Sequence, residues 1–229
     1  MALGSGHTTH PAASWRRATR GESRWPAVIA VVTASGLQMA LPEWLSLGPH
    51  WLLPALQLAL LCALVASSPG RLERRSVALR AGGLALAGLL SLANAISAAL
   101  LVNGLAHGSG ADSAAALLLA GGSIWAANVL IFALWYWELD RGGPADRCHA
   151  VRMYPDFLFP QMQQPDIAPS DWKPFFTDYL YLSFTNAISF AASDVTPLTR
   201  WAKAMMMLQS AVSVAAIVLV IARAVNIIS

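Results

Sequence analysis

Runs of apolar residues too long for a strand, and apolar on every side, decide what this chain can become. They lie at about Pro26–Leu47, Trp51–Ala66, Ala81–Ala106, Ser113–Trp137 and Ala204–Ile228. The hydrocarbon layer of a bilayer, roughly 30 Å thick, takes about 20 such residues as a helix rising about 1.5 Å per residue. No polar stripe is left for water, so the blocks read as membrane segments rather than surface helices. The second block is short for a full crossing and calls for a thinned bilayer or shielding by neighbours. The expected fold class is therefore all-α, a polytopic transmembrane helix bundle of about five or six segments.

Charge supports this. Only 12% of the 229 residues are charged, about half the share of an ordinary soluble domain. The net charge of +3 comes almost wholly from arginines that flank the blocks. Four precede the first block (Arg16, Arg17, Arg20, Arg24), and four fill the connector between the second and third (Arg71, Arg74, Arg75, Arg80). Arg141, Arg147, Arg152 and Lys173 follow the fourth block, while the two remaining connectors have no Lys or Arg. By the positive-inside rule this alternation puts the N-terminus and the charged connectors in the cytoplasm of a bacterial inner membrane. Basic residues without interleaved aromatics or a recognition motif give no support to nucleic-acid binding.

Four parts follow along the chain. Residues 1–25, rich in Gly, Ser, Thr, His and Arg, read as a disordered cytoplasmic tail. Residues 26–138 read as four transmembrane helices. Residues 139–174 form a polar loop whose Pro144, Pro155, Pro160, Pro165 and Pro169 argue against a regular domain. Residues 175–229 hold a segment studded with polar side chains and then the last helix. In the third block Gly83, Ala87, Ser91, Ala95 and Ala99 recur every four residues. Small side chains on one face let a neighbouring helix approach closely. Asn94 and Asn128 are polar intramembrane residues; a hydrogen bond across helices and a polar cavity are both open for Asn94. Cys62 and Cys148 read as packing.

Two resemblances lie in the C-terminal half. Asp178-Tyr-Leu-Tyr-Leu-Ser-Phe-Thr-Asn-Ala followed by Ser193-Asp194-Val-Thr-Pro-Leu-Thr-Arg200 resembles the pore segment of tetrameric potassium channels, where a short pore helix leads to a filter and an inner helix. Trp135-Tyr136-Trp137, Gly142-Gly143, Phe159-Pro160, the Asp178–Phe184 block and Ser193-Asp194 are similar to an uncharacterised bacterial membrane family, a domain of unknown function with no established activity. The channel resemblance implies a re-entrant pore-type helix, with Thr185, Asn186, Ser189, Phe190, Ala191, Ala192, Ser193 and Asp194 as the pore and filter positions. A potassium filter needs glycines to aim its carbonyls inward. Ser189–Ser193 contains none, so the expected filter is degenerate and not potassium-selective. Channels of that family admit the pore segment from outside, whereas the arginine count puts the preceding loop inside; a full span, re-entry from the cytoplasm and a misleading count all stay open.

On a helix Asp178, Thr185 and Ser189 share one side. Two readings are open, an ion-contacting face and a polar stripe buried against another helix. Asp194 reads as a turn residue or as a pore-mouth anion. No Ser-His-Asp set, metal-ligand spacing or phosphate loop is present, and neither an enzyme, a metal nor a cofactor is expected. The expected function is an ion-channel-like protein of the inner membrane passing monovalent cations, as a homo-oligomer and a tetramer if pore-like. The rivals are a non-conducting scaffold or accessory subunit and a small transporter.

Overall fold

The computed structural model describes residues 14–107, 113–189 and 194–228. Helices dominate: α1 (Trp25–Met39), α2 (Leu52–Ser67), α3 (Val77–Ala106), α4 (Ala114–Leu139), α5 (Pro144–Cys148), α6 (Pro160–Gln163), α7 (Phe176–Ser189) and α8 (Arg200–Ile228). Two short antiparallel pairs join them, β1 (Glu22–Ser23) with β2 (Arg71–Leu72) and β3 (Phe157–Leu158) with β4 (Thr196–Pro197). The helices start where their sequence allows. Pro26 sits in the first turn of α1, where its missing N–H costs nothing. The side chains of Ser76 and Ser113 accept the amides of Leu79 and Ala116, satisfying donors that the first turns of α3 and α4 leave open.

Three helices, α3, α4 and the first 19 residues of α8, are long and apolar enough to cross a membrane. α1 and α2, with 15 and 16 residues, are both shorter than a roughly 30 Å layer requires; the second block was expected to be short, the first was not. The connector between the short pair makes up the difference. Leu41 and Leu45 are buried with Leu101, Leu117, Ala120 and Ile124 at the far ends of α3 and α4. The hairpin α1–α2 thus ends in an apolar plug.

α4 is the axis. It packs against α1, α3, α7 and α8, and 61% of its apolar window is buried, against 39% for α3 and 28% for α8. Its C-terminal end is where the polypeptide converges. Arg24, before α1, donates to the carbonyl of Leu64 near the end of α2, and β1 pairs with β2 there. Arg75 and Arg80, at the start of α3, reach Asp146 just beyond α4. Phe176 packs edge-on to Trp137, and Tyr179 bonds Asp140. Trp201 bonds Asp156, and β4 lies beside β3. The three arginine-bearing stretches of the sequence therefore meet at one end of the bundle, and α7 and α8 both begin there.

Candidate functional site

The basic end is closed by a cap built from residues 14–24 and 140–174. Its centre is Arg147 on α5. The guanidinium grips Glu22 twice, Nε to Oε1 at 2.8 Å and Nη2 to Oε2 at 3.0 Å, and donates through Nη1 to the carbonyls of Trp137 and Asp140. Trp137 Nε1 donates to Glu22 Oε2 at 2.6 Å. Burial opposes the charge on Arg147, but Glu22, Tyr179 and Asp140 outweigh it and hold its pKa above the ordinary arginine value. The Asp140 carboxylate accepts the Tyr179 hydroxyl at 2.7 Å and the amides of Asp156 and Phe157 at 2.8 and 3.3 Å. Asp156 accepts the Arg141 amide and Trp201 Nε1, both at 2.8 Å. Arg141 sits at φ +52°, which turns its side chain under Trp15 and onto the carbonyls of Trp15 and Arg152.

The cap includes the described part of the expected tail, whose residues 1–13 lie outside the described residues, and the expected polar loop. Residues 14–25 are not a loose tail: Trp15 and Glu22 are buried. Residues 140–174 form an ordered lid with its own short helices and strand. Neither stretch has apolar residues enough to fold alone, which is what the composition reported. Each supplies the counter-charge for the other, and buried charges with partners are tolerated.

A second polar cluster lies among α4, α7 and α8. Gln209 Oε1 accepts Tyr136 Oη at 2.6 Å and Asn186 Nδ2 at 2.9 Å. Gln209 Nε2 donates to the carbonyl and hydroxyl of Ser183, whose Oγ donates to the carbonyl of Val129. Asn128 donates to Ser213 Oγ at 3.1 Å. Asn186 and Asn128, expected as pore or intramembrane polar residues, are thus buried and engaged with neighbouring helices. Thr185, half-buried, donates to its own helix at the carbonyl of Tyr181, 2.9 Å away. Asp178 accepts the amide of Phe175 at 2.7 Å and so closes the start of α7. Asp194 is exposed. Phe190, Ala191, Ala192 and Ser193 lie outside the described residues, and of Ser189 only the helical backbone is described.

Within the small-residue stripe of α3, Gly83 and Ser91 meet side chains of α4. Ala87 is buried, and Ser91 Oγ accepts Trp135 Nε1 at 2.8 Å. Ala95 and Ala99 are exposed. A spacing of four on a helix of about 3.6 residues per turn drifts about 40° at each step, so a stripe that starts against α4 leaves it within three turns. Asn94 is buried with Oδ1 unpartnered among the described residues.

A cavity of about 420 Å³ opens at the basic end between α1, α2, α3 and α4. Its inner wall is apolar, with Val28, Val31, Leu61, Leu64, Leu86 and Leu134. Its outer part is lined by Arg24, Arg74, Arg75, Arg80 and Asp146. Between the two zones lies the Glu138 carboxylate, tucked against Gly83: a Cβ on Gly83 would stand 2.8 Å from Glu138 Oε1. Among the described residues no hydrogen bond or ion pair reaches this carboxylate. Compared with protein-family models, curated proteins and solved structures, the chain matches none.

Sequence reasoning passed over Glu22, Gln38, Gln57, Glu138 and Gln209. Gln57 accepts Ser35 Oγ at 2.8 Å and donates to Gln38 Oε1 at 2.9 Å, while Gln38 donates to the Leu90 carbonyl, joining α1, α2 and α3. The signal was present for the glutamines: an amide inside an apolar block demands a partner. Nothing in the order of residues singles out Glu22.

Proposed function

We propose that this chain is an integral protein of a bacterial inner membrane, and that residues 175–229 act as a pore-type re-entrant hairpin within an oligomer that passes monovalent cations. One observation carries the reading: α7 and α8 both begin at the basic end of α4, so the chain leaves that end with α7 and is back beside it at Thr196–Pro197. At 14 residues, α7 is about 21 Å long, too short to cross, and the return to the same side makes re-entry the natural description. The positive-inside rule sets this end in the cytoplasm, so the hairpin would enter from the side opposite to that of potassium channels. In this reading the Gln209 cluster holds α7 on α8, and the stretch from Ser189 to Asp194, joined by Thr185 and Asp178, faces the ions.

A second reading, a non-conducting scaffold, is favoured by the same cluster, because Ser183, Asn186, Asn128 and Gln209 spend their hydrogen bonds on one another and on Tyr136 and Ser213. Purified full-length protein in liposomes separates the two. A monovalent cation flux reduced by Asp194→Asn is expected of the pore. No flux at any voltage from protein that stays monomeric would reject it in favour of the scaffold.

A further inference from the structure

The cavity at the basic end combines three features that belong together in one kind of ligand. Its inner wall is apolar and continuous with the contact between α1 and α2. Its mouth carries guanidinium groups that are not used up. Arg75 and Arg80 share Asp146 at 2.9 and 3.7 Å, whereas Arg24 bonds only the carbonyl of Leu64 and Arg74 has no hydrogen bond or ion pair among the described residues. Between wall and mouth lies Glu138, a carboxylate that no donor touches, in a place made for it by the missing side chain of Gly83.

Arg147, Arg80 and Arg24 act on the Glu138 charge through space, yet none reaches it with a hydrogen bond, and a carboxylate removed from bulk water is costly unless something donates to it. Free guanidiniums beside it call for an anion, and they fit phosphate well. An apolar wall calls for hydrocarbon. We infer that the cavity binds a bilayer phospholipid whose headgroup carries a primary ammonium beyond its phosphate: the phosphate meets Arg24 and Arg74, the ammonium donates to Glu138, and an acyl chain lies along Leu61, Leu64 and Val28. The volume of about 420 Å³ lies within the range of roughly 300–1,000 Å³ usual for small-molecule sites, enough for a headgroup and the upper part of one chain. The mouth reaches the surface at Arg74 and Val77, which is 89% exposed, so a lipid can enter sideways from the layer around the bundle. The inference rests on the membrane reading but not on conduction.

The test uses the full-length protein in detergent, with lipid binding read by native mass spectrometry. An ethanolamine phospholipid should bind about tenfold or more tightly than the choline phospholipid with the same chains, because a quaternary ammonium has no N–H to give Glu138. Phosphatidylglycerol, with phosphate and no ammonium, should fall with the choline lipid. Glu138→Gln should erase the preference between headgroups. Arg74→Gln, at an exposed and unpaired side chain, should weaken the ethanolamine, choline and glycerol lipids together without touching the fold. Equal binding of the ethanolamine and choline lipids by the unaltered protein would overturn the inference. So would competition by glycerophosphoethanolamine, which lacks chains, at the same concentration as the lipid. A protein that stays folded in detergent yet binds no lipid overturns the inference and leaves the membrane reading standing; one that needs no detergent removes both.

Discussion

The hydroxyl of Tyr179 lies 2.7 Å from Oδ2 of Asp140, so that the first turn of α7 is bolted to the residue that ends α4. Both side chains are fully buried. Tyr179→Phe keeps the ring packing against Phe159 and removes only the donor, leaving the carboxylate with its two amides. A loss of about 1–3 kcal/mol in stability is expected, read as a lowered denaturation midpoint in detergent. An unchanged midpoint would show that the amides of Asp156 and Phe157 suffice.

Glu22 and Arg147 offer a sharper contrast. Glu22→Gln keeps the shape but leaves the guanidinium uncompensated, and truncating one partner of a buried pair costs about 3–5 kcal/mol. The double substitution Glu22→Gln with Arg147→Met should recover only part of that loss, since it removes the lone guanidinium but also takes from buried Asp140 a neighbouring positive charge. If the double variant is no more stable than Glu22→Gln, the guanidinium's bonds to the carbonyls of Trp137 and Asp140 matter more than its charge pairing.

Gln209 is the hub of the contact among α4, α7 and α8. Gln209→Leu matches its bulk but strands Ser183, Asn186 and Tyr136 at once. About 1–2 kcal/mol is a fair figure for such an interhelical bond between membrane helices, and protease nicking between α7 and α8 should accelerate. Any cation flux in liposomes should fall with it if the hairpin must stay rigid.

Gly143 adopts φ +97°, and a Cβ there would come within 2.8 Å of the Glu138 carbonyl oxygen. Gly143→Ala therefore combines a disfavoured backbone with a clash against main chain, for an expected cost of about 1–3 kcal/mol. Gly36→Ala, which meets open space, is the control and should be neutral or mildly stabilising.

Cys148 is buried, and burial first, then Glu22 and Glu73, pushes its thiol pKa up. In a Cys62→Ala background, maleimide labelling near neutral pH should run at least about tenfold slower than for a free thiol and quicken as pH rises. Because the folded pKa exceeds the unfolded one, the unfolded state loses its proton first, and stability should decline above about pH 8.5. Rapid labelling at neutral pH would mean that the cap opens readily.

The sequence was most informative where one residue type answers to one physical demand. The arginine groups around Arg16, Arg74 and Arg147 stood out as flanks of the apolar blocks, and they come together at one end of the bundle. It was least informative where a polar residue takes its meaning from a distant partner. Glu22 looks like one more residue of a polar tail until Arg147, 125 positions later, comes to lie against it. The polar positions of α7 divide in the same way: Asp178 and Thr185 satisfy local backbone groups, as short polar side chains near helix ends do, while Asn186 spends its amide on α8. Ala95 and Ala99 are exposed because a four-residue spacing winds slowly around the helix.

The clasp between the amino-terminal leg and the lid has a consequence for biogenesis. Residue 22 leaves the ribosome early, and its mate at 147 follows only after α1–α4 have been made. Through that interval Glu22 has no guanidinium to pair with. Long-range closures of this kind come late and slowly. The contacts of α7 and α8 with α4 and the lid, which wait for Tyr179, Trp201 and Gln209, close later still.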